Sequence, residues 1–520
     1  MATPLRMGFR SVLAPRWCGA LAGVLILGLN LLLARVAPWQ ASPATRIHDD
    51  VGITLEAVHE AELGKSLYTE VAWPYGPLAI APYILADRAS PLTPAGYGVV
   101  SAVLVALGVS LLTGALASQL GPAAALAVTV FLCFPPWGAF GPGYFALEFA
   151  LVTLLATVWV EPPERTLRRN VLLGIVLAAL HINKFGTDVQ VGLAVFALDV
   201  IALARCGANM TSVLLRSWRS LITGYLAGLL ASIAVLGMCG FSLDQLRIAL
   251  LPLQLLKIYH GVDLEQSLLQ HLANSSVGYF LGVTVPALVS LAAVVVASRN
   301  RPLSGLAVMP WSFIAGSVTT FRLVFHYLMR APYIFLALPL AWRNASRRFR
   351  AAALLCVPAL LVSLRTDYRA WLPDGQTPVQ APNGQSLWAG PSEAKRLAEF
   401  FHVGDLVRHT TGAILASYQS PYGPPAHYFF ESKSTTGELF FVPTSIEPVK
   451  QGRFLADVRA GDWFLIVGGD PTIGGTLDSD HARELLAGAR LCYRSSLTPV
   501  VELFSTPGKS CPGVGRQASL

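Results

Sequence analysis

The chain has 520 residues, of which 54% are hydrophobic and only 13% charged, and its mean hydropathy is +0.55. That composition excludes disorder, a collagen-like rod and a small disulfide scaffold, and it describes a protein whose solvent is a bilayer. The formal charge of +8 sits on arginines in short loops, where cations orient a membrane protein, so nucleic acid is excluded as a partner.

Apolar runs close to the ~20 residues that cross a ~30 Å hydrocarbon core recur along the first two thirds of the chain. They predict helices over about 17–38, 95–116, 120–137, 143–160, 170–183, 187–204, 220–240, 276–297, 303–320, 328–342 and 351–365. This is an α-helical polytopic membrane protein of about eleven transmembrane helices. The first run is longer than a signal peptide's apolar region and no small-residue cleavage site follows it, so it is read as an anchor.

Arg6, Arg10 and Arg16, Arg165, Arg168 and Arg169, Arg205, Arg216 and Arg219, Arg299 and Arg301, and Arg343, Arg347, Arg348 and Arg350 all fall on one side of this scheme. That side is cytoplasmic by the positive-inside rule, the N-terminus with it. The opposite side carries the long loops, 39–94 and 241–275, and the whole tail. The division is therefore a transmembrane domain over 1–365 and an extracytoplasmic soluble α/β domain over 366–520.

Within the first outer loop, Val51, Leu55 and Val58 recur at helical spacing and the segment closes at Gly64, which predicts a short interfacial helix beginning at Asp49 or Asp50. An Asp there also serves as a plain helix N-cap. Trp73 and Tyr75 precede a turn at Gly76 and Pro77, facing the membrane interface or a sugar ring.

In the tail, 394–407 reads as a helix, 463–467 and 500–504 as strands, 481–489 as a helix, and 373–391 as a loop. Cys492 and Cys511 are the two cysteines on the outer side, and a disulfide between them suits an oxidising exterior. Tyr418, Tyr422, His427, Tyr428 and Phe429 form an aromatic cluster, either a core or a platform for sugar rings.

Two phrases carry a resemblance. The first is the acidic pair Asp49-Asp50 followed by "GKSLYTEVAWPYGPL" over 64–78, and the second is "HINKFGTDVQVGL" over 181–193. The first resembles the opening outer loop of GT-C class membrane glycosyltransferases, such as the polyprenyl-phosphate-dependent mannosyl, arabinosyl and aminoarabinose transferases. The second resembles the Lys-containing turn of bacterial members. The resemblance covers about fifty residues closely and the architecture loosely, and it implies a bacterial inner membrane.

What it implies for chemistry is transfer of a sugar from a polyprenyl-phosphate donor to an acceptor on the outer face. Asp49 or Asp50 would take the acceptor's proton, since a carboxylate beside the lipid donor suits a general base. Lys184, Arg322 and Arg330 are candidate cations for the donor phosphate; each also serves as an ordinary interfacial cation snorkelling to water. Arg35 is a weaker candidate of the same kind.

Tyr75, His260 and His326 are candidate substrate contacts. Asp244, Lys257, Asp263, Glu265 and His271 share the long loop with His260 without specific spacing. If His260 and Asp263 meet Asp49 and Asp50, a divalent metal becomes the cofactor; a solvated loop is the alternative. The competing functions are a transporter or flippase and a non-catalytic envelope-assembly protein. Few mid-depth charges and no repeat pair in the sequence count against a transporter.

Overall fold

The structure, a computed structural model, describes residues 5–36, 50–71, 73, 75–133, 143–206, 210–251, 303–319, 377–389, 391–408, 415–419, 426–432, 461–467, 487–495 and 501–512. The expected spans at 276–297, 328–342 and 351–365 lie outside these residues. Three described helices are long and apolar enough to cross a membrane, over Pro94–Leu120, Thr187–Arg205 and Thr211–Met238, with shorter apolar helices at Pro15–Leu29 and Ala146–Val158.

In chain order the helices are α1 (Leu5–Val36), α2 (Asp50–Glu62), α3 (Pro77–Ala89), α4 (Pro94–Leu120), α5 (Pro122–Cys133) and α6 (Gly143–Val158). They continue with α7 (Leu167–Asn183), α8 (Thr187–Cys206), α9 (Met210–Met238), α10 (Leu243–Leu250) and α11 (Val308–Thr319). Local chemistry fixes several starts. Thr93 and Thr166 accept hydrogen bonds from Gly96 N and Arg169 N, and Ser242 forms a capping box with Gln245.

The long helices share one core that includes Leu112, Phe149, Leu155, Leu180, Leu198 and Met309. Small residues let them approach closely, as between α7 and α9. A Cβ on Gly174 would lie 2.1 Å from Leu221 O, and one on Gly224 would lie 2.2 Å from Val171 O. The outer face of α9 leaves Leu215, Ile222, Leu226, Leu230 and Val235 exposed, the surface a helix presents to lipid.

One end of this bundle gathers the arginine-bearing loops. Arg205 pairs with Glu161, whose carboxylate also accepts from Leu303 N, and Gln119 donates to Ser304. Arg165, expected to be a loop cation, is instead buried: its guanidinium lies 2.5 Å from Asp199 Oδ2, and Trp159 and Trp218 donate to the same carboxylate. The opposite end carries the α7–α8 turn, α10 and the start of α3.

The tail contributes a hairpin of β1 (Thr377–Gln380) and β2 (Ser386–Ala389), then α12 (Pro391–Arg408), β3 (Leu415–Gln419), α13 (Ala426–Phe430), β4 (Trp463–Val467), β5 (Arg490–Arg494) and β6 (Val501–Ser505). The four-stranded sheet has the order β3-β4-β6-β5, with β3 parallel to β4 and the other two pairings antiparallel. The stretch expected to be a loop over 373–391 holds the hairpin. Asn383 and Gly384 turn the chain (φ +82° at Gly384) while Val379 and Leu387 are buried. Residues 481–486 of the expected helix at 481–489 lie outside the described residues, and Ala487 and Gly488 form a turn into β5.

A second core joins α2, α3 and the segment between them to the tail. Ile53, Leu55, Val58, Trp73, Tyr83 and Tyr97 share it with Phe400, Phe401, Phe429, Leu465 and Leu503. The expectation that α2 lies open on the membrane surface is therefore corrected. Thr54, Glu56 and Glu60 on its polar side are at most 2% exposed, because α13 of the tail packs over them.

Candidate functional site

The phrase over 66–77 folds into a tight loop. Glu70 N and Val71 N donate to Ser66 O, Ser66 N donates to the Glu70 carboxylate, and Tyr68 N donates to Val71 O with Tyr68 at φ +73°. Trp73 is fully buried and its indole N–H donates to Gly76 O, while the Tyr68 hydroxyl donates to Tyr75 O. Trp73 is thus a core residue of the lobe shared with the tail rather than a membrane-interface or sugar-stacking group. Its ring meets Tyr75 edge-on at 5.3 Å.

This loop docks on the α7–α8 turn. Gly76 N donates to Asn183 O at 3.1 Å, and a Cβ on Gly76 would lie 1.7 Å from Ile182 O, so only glycine permits the approach. The contact brings two predicted residues together: Lys184 Nζ stands 5.8 Å from the centroid of the Tyr75 ring. A cation over an aromatic face at that distance is attracted by the ring's negative π-face. Gln245 of α10 clamps the loop from another side through its donation to Leu67 O.

The turn that presents Lys184 is braced by residues from four helices, α7 to α10. His181 Nδ1 lies 3.0 Å from Asp188 Oδ2, the Tyr225 hydroxyl donates to the same oxygen at 2.8 Å, and Gly186 N donates to Asp188 Oδ1. His181 Nε2 faces Leu250 O at 2.9 Å. Both ring nitrogens therefore face acceptor oxygens, and each is satisfied when it carries a proton. Asp188 is engaged by His181, Tyr225 and the backbone N–H groups of Gly186 and Val189, which makes it a brace for the turn. Thr187 also donates to the buried carboxylate of Glu148 on α6.

Behind α2 lies a polar cluster against the tail. Glu56 accepts from His427 N and Tyr428 N, the His59 ring contacts Ser432 O at 3.1 Å, and Glu60 pairs with Lys65. Burial, then the neighbouring Glu60, pushes the Glu56 carboxyl up to about 8. Burial, with Lys65 and His59 adding to it, holds His427 well below the usual histidine range. Of the expected aromatic cluster, His427, Tyr428 and Phe429 are core groups of this contact. The side chains of Tyr418 and Tyr422 lie outside the description.

Of the other expected site residues, Asp50 opens α2. Its side chain is not among the described ones, and Asp49, Arg322, Arg330, His260 and His326 lie outside the described residues altogether. Cys492 and Cys511 are joined in a disulfide with Cα atoms 5.3 Å apart. Among the described residues no group of three His, Cys, Asp or Glu is placed to hold a metal ion. Sequence reading assigned no role to Glu56, Glu148, His181, Asp188 or Tyr225. The signal for His181 and Asp188 was present, since both flank Lys184 within the second phrase.

The chain is mostly helical, with candidate membrane spans at one end and a mixed α/β lobe at the other. No protein-family model matches it, and no curated protein matches it. Among solved structures, it is similar to the crystal structure of the Archaeoglobus fulgidus oligosaccharyltransferase in complex with Zn and sulfate. That similarity is at 12% identity, over 93% of this chain and 73% of that chain, with a TM-score of 0.38.

Proposed function

We propose that this protein is a GT-C-like membrane glycosyltransferase that moves a sugar from a polyprenyl-phosphate donor to an acceptor hydroxyl on the outer face of a bacterial inner membrane. The observation that supports it most is the docking of the two phrases on each other. Segments more than 100 residues apart, each resembling the same class of enzyme, meet through Gly76 N and Asn183 O, and place Lys184 over Tyr75.

In this reading Asp49, or Asp50 at the start of α2, accepts the proton of the acceptor hydroxyl. The hydroxyl oxygen forms a bond to the anomeric carbon, the bond from that carbon to the phosphate oxygen breaks, and polyprenyl phosphate leaves with the electron pair. The leaving group gains charge as it departs, and a fixed cation at its side stabilises that charge more than the ground state. Lys184 has this role, with Arg322 and Arg330 as further phosphate contacts. Tyr75, His260 and His326 contact the substrates.

A divalent cation is the one cofactor such a carboxylate pair would take, and no step here is routed through it. The lobe formed by the tail and the first outer loop faces the exterior, and the Cys492–Cys511 bridge suits that compartment. The test is transfer of labelled sugar from membrane polyprenyl-phosphate donors by wild type, Asp49→Asn and Asp50→Asn at matched expression. Loss of transfer in one folded variant supports the base assignment, and full activity in both refutes it.

A further inference from the structure

A recess of about 360 Å³ lies on the tail's part of the lobe, lined by Lys395, Ala398, Glu399 and His402 of α12 and by Tyr493 of β5. The four helix residues share one face by their spacing, while Leu397, Phe400 and Phe401 turn the other way into the core. β5 is the edge strand of the sheet, and its pairing with β6 is irregular between Leu491 and Tyr493. Such irregularities re-aim side chains. Cys492, at the irregularity itself, is bonded to Cys511, which ties the strand down beside the recess.

The side chains there are arranged for a polar ring. The Tyr493 hydroxyl donates to Glu399 Oε2, and the Tyr493 and His402 rings stand 5.4 Å apart at 58°, forming an aromatic corner. Among the described residues Lys395 and His402 have no hydrogen bond or ion pair of their own. The Lys395 and Glu399 charges oppose each other, so an anion would face the carboxylate and a cation would face the ammonium. A neutral, polyhydroxylated ring meets all of these groups favourably, with its C–H face on the aromatic corner and its hydroxyls on Glu399 and Lys395. The volume is at the small end for ligand sites and suits one or two sugar rings.

We propose that this recess is a saccharide-binding subsite for a glycan chain, with Tyr493 and His402 as the stacking surface and Glu399 and Lys395 as the hydroxyl contacts. Its role as an acceptor subsite rests on the transferase reading; sugar binding itself does not.

The test applies the full chain in lipid nanodiscs to immobilised oligosaccharides of glucose, mannose, galactose, arabinose and N-acetylglucosamine, four to six units long. Wild type should bind at least one class. Tyr493→Ala should weaken that binding about tenfold, the scale of one aromatic stacking contact, while Tyr493→Phe keeps most of it. His402→Ala, at an exposed position that folding tolerates, should weaken it too. No binding by wild type to any class, or unchanged binding by both alanine variants, overturns the proposal. Cleavage of a polyprenyl-phosphate sugar donor is measured on the same preparations. Binding without donor cleavage supports the recess and retires the transferase reading; cleavage without binding does the reverse.

Discussion

Replacing Gly76 by Ala adds one carbon where the loop has no room. The new atom would lie 1.7 Å from Ile182 O, 2.4 Å from Ile182 C and 3.1 Å from Asn183 O. Relaxed non-bonded contacts begin near 3.5 Å, so the loop must retreat by about 2 Å. That retreat carries the Gly76 N–Asn183 O contact, 3.1 Å in the structure, beyond hydrogen-bonding range. Losing the hydrogen bond costs about 1 kcal/mol and the overpacking about 1–3 kcal/mol, together about 2–4 kcal/mol. The backbone contributes nothing to this cost, since φ −70° and ψ 163° suit alanine.

The assay pairs thermal unfolding in detergent with sugar transfer, using Gly192→Ala as control. An added Cβ at Gly192 meets nothing within 4 Å, and Gly to Ala inside a helix gains roughly 0.5–1 kcal/mol. The account predicts that Gly76→Ala unfolds at lower temperature and transfers poorly, and that the control does neither. Wild-type unfolding and wild-type transfer in Gly76→Ala refute the docked arrangement.

Asp199→Ala strands Arg165 inside the bundle and should cost about 3–5 kcal/mol, while Arg165→Met combined with Asp199→Leu should recover part of that loss, the remainder being the Trp159 and Trp218 indole N–H groups left without an acceptor; chemical denaturation of the three proteins checks this. Glu56 has its pKa raised from 4.5 to about 8 on folding, so its contribution is complete below 4.5 and is lost as pH rises through 8. Wild type should therefore lose stability as pH rises from about 5 to 8 and level off above that, and Glu56→Gln should flatten the slope in that window; equal slopes in unfolding scans argue against it. Lys184→Ala should lower sugar transfer by about 10–100-fold, the value of one charge-assisted hydrogen bond, and Lys184→Arg should recover part of it, as kinetics on the same donor would record.

The long helices were legible because a bilayer demands long apolar runs, and Pro94–Leu120, Thr187–Arg205 and Thr211–Met238 provide them. The strand at Trp463–Val467 was equally plain from its unbroken apolar run. The position of α2 was not. Val51, Leu55 and Val58 predicted a helix lying on the membrane surface, and only the tail, more than 300 residues later, covers the side that bears Glu56. The hairpin at 377–389 was obscured by Pro378 and Pro382, although Asn383-Gly384 marked its turn.

In the site, the two phrases were visible as words, but nothing local said that they touch. Gly76 looked like an ordinary turn residue until the carbonyl of Ile182 was found against it. The brace on Lys184 likewise needs Tyr225 and Leu250, which reach it from α9 and α10. Arg165 was misread for a related reason, because a loop cation and a buried ion pair look alike until Asp199 is placed beside it.

The most direct test of the central claim uses wild-type protein reconstituted in sealed vesicles, with a polyprenyl-phosphate donor carrying radiolabelled sugar and acceptor glycans supplied on the side of the tail. The account predicts label in the acceptor and free polyprenyl phosphate left in the membrane. Label that crosses the bilayer still attached to its donor, with none transferred, would contradict it and identify a transporter instead.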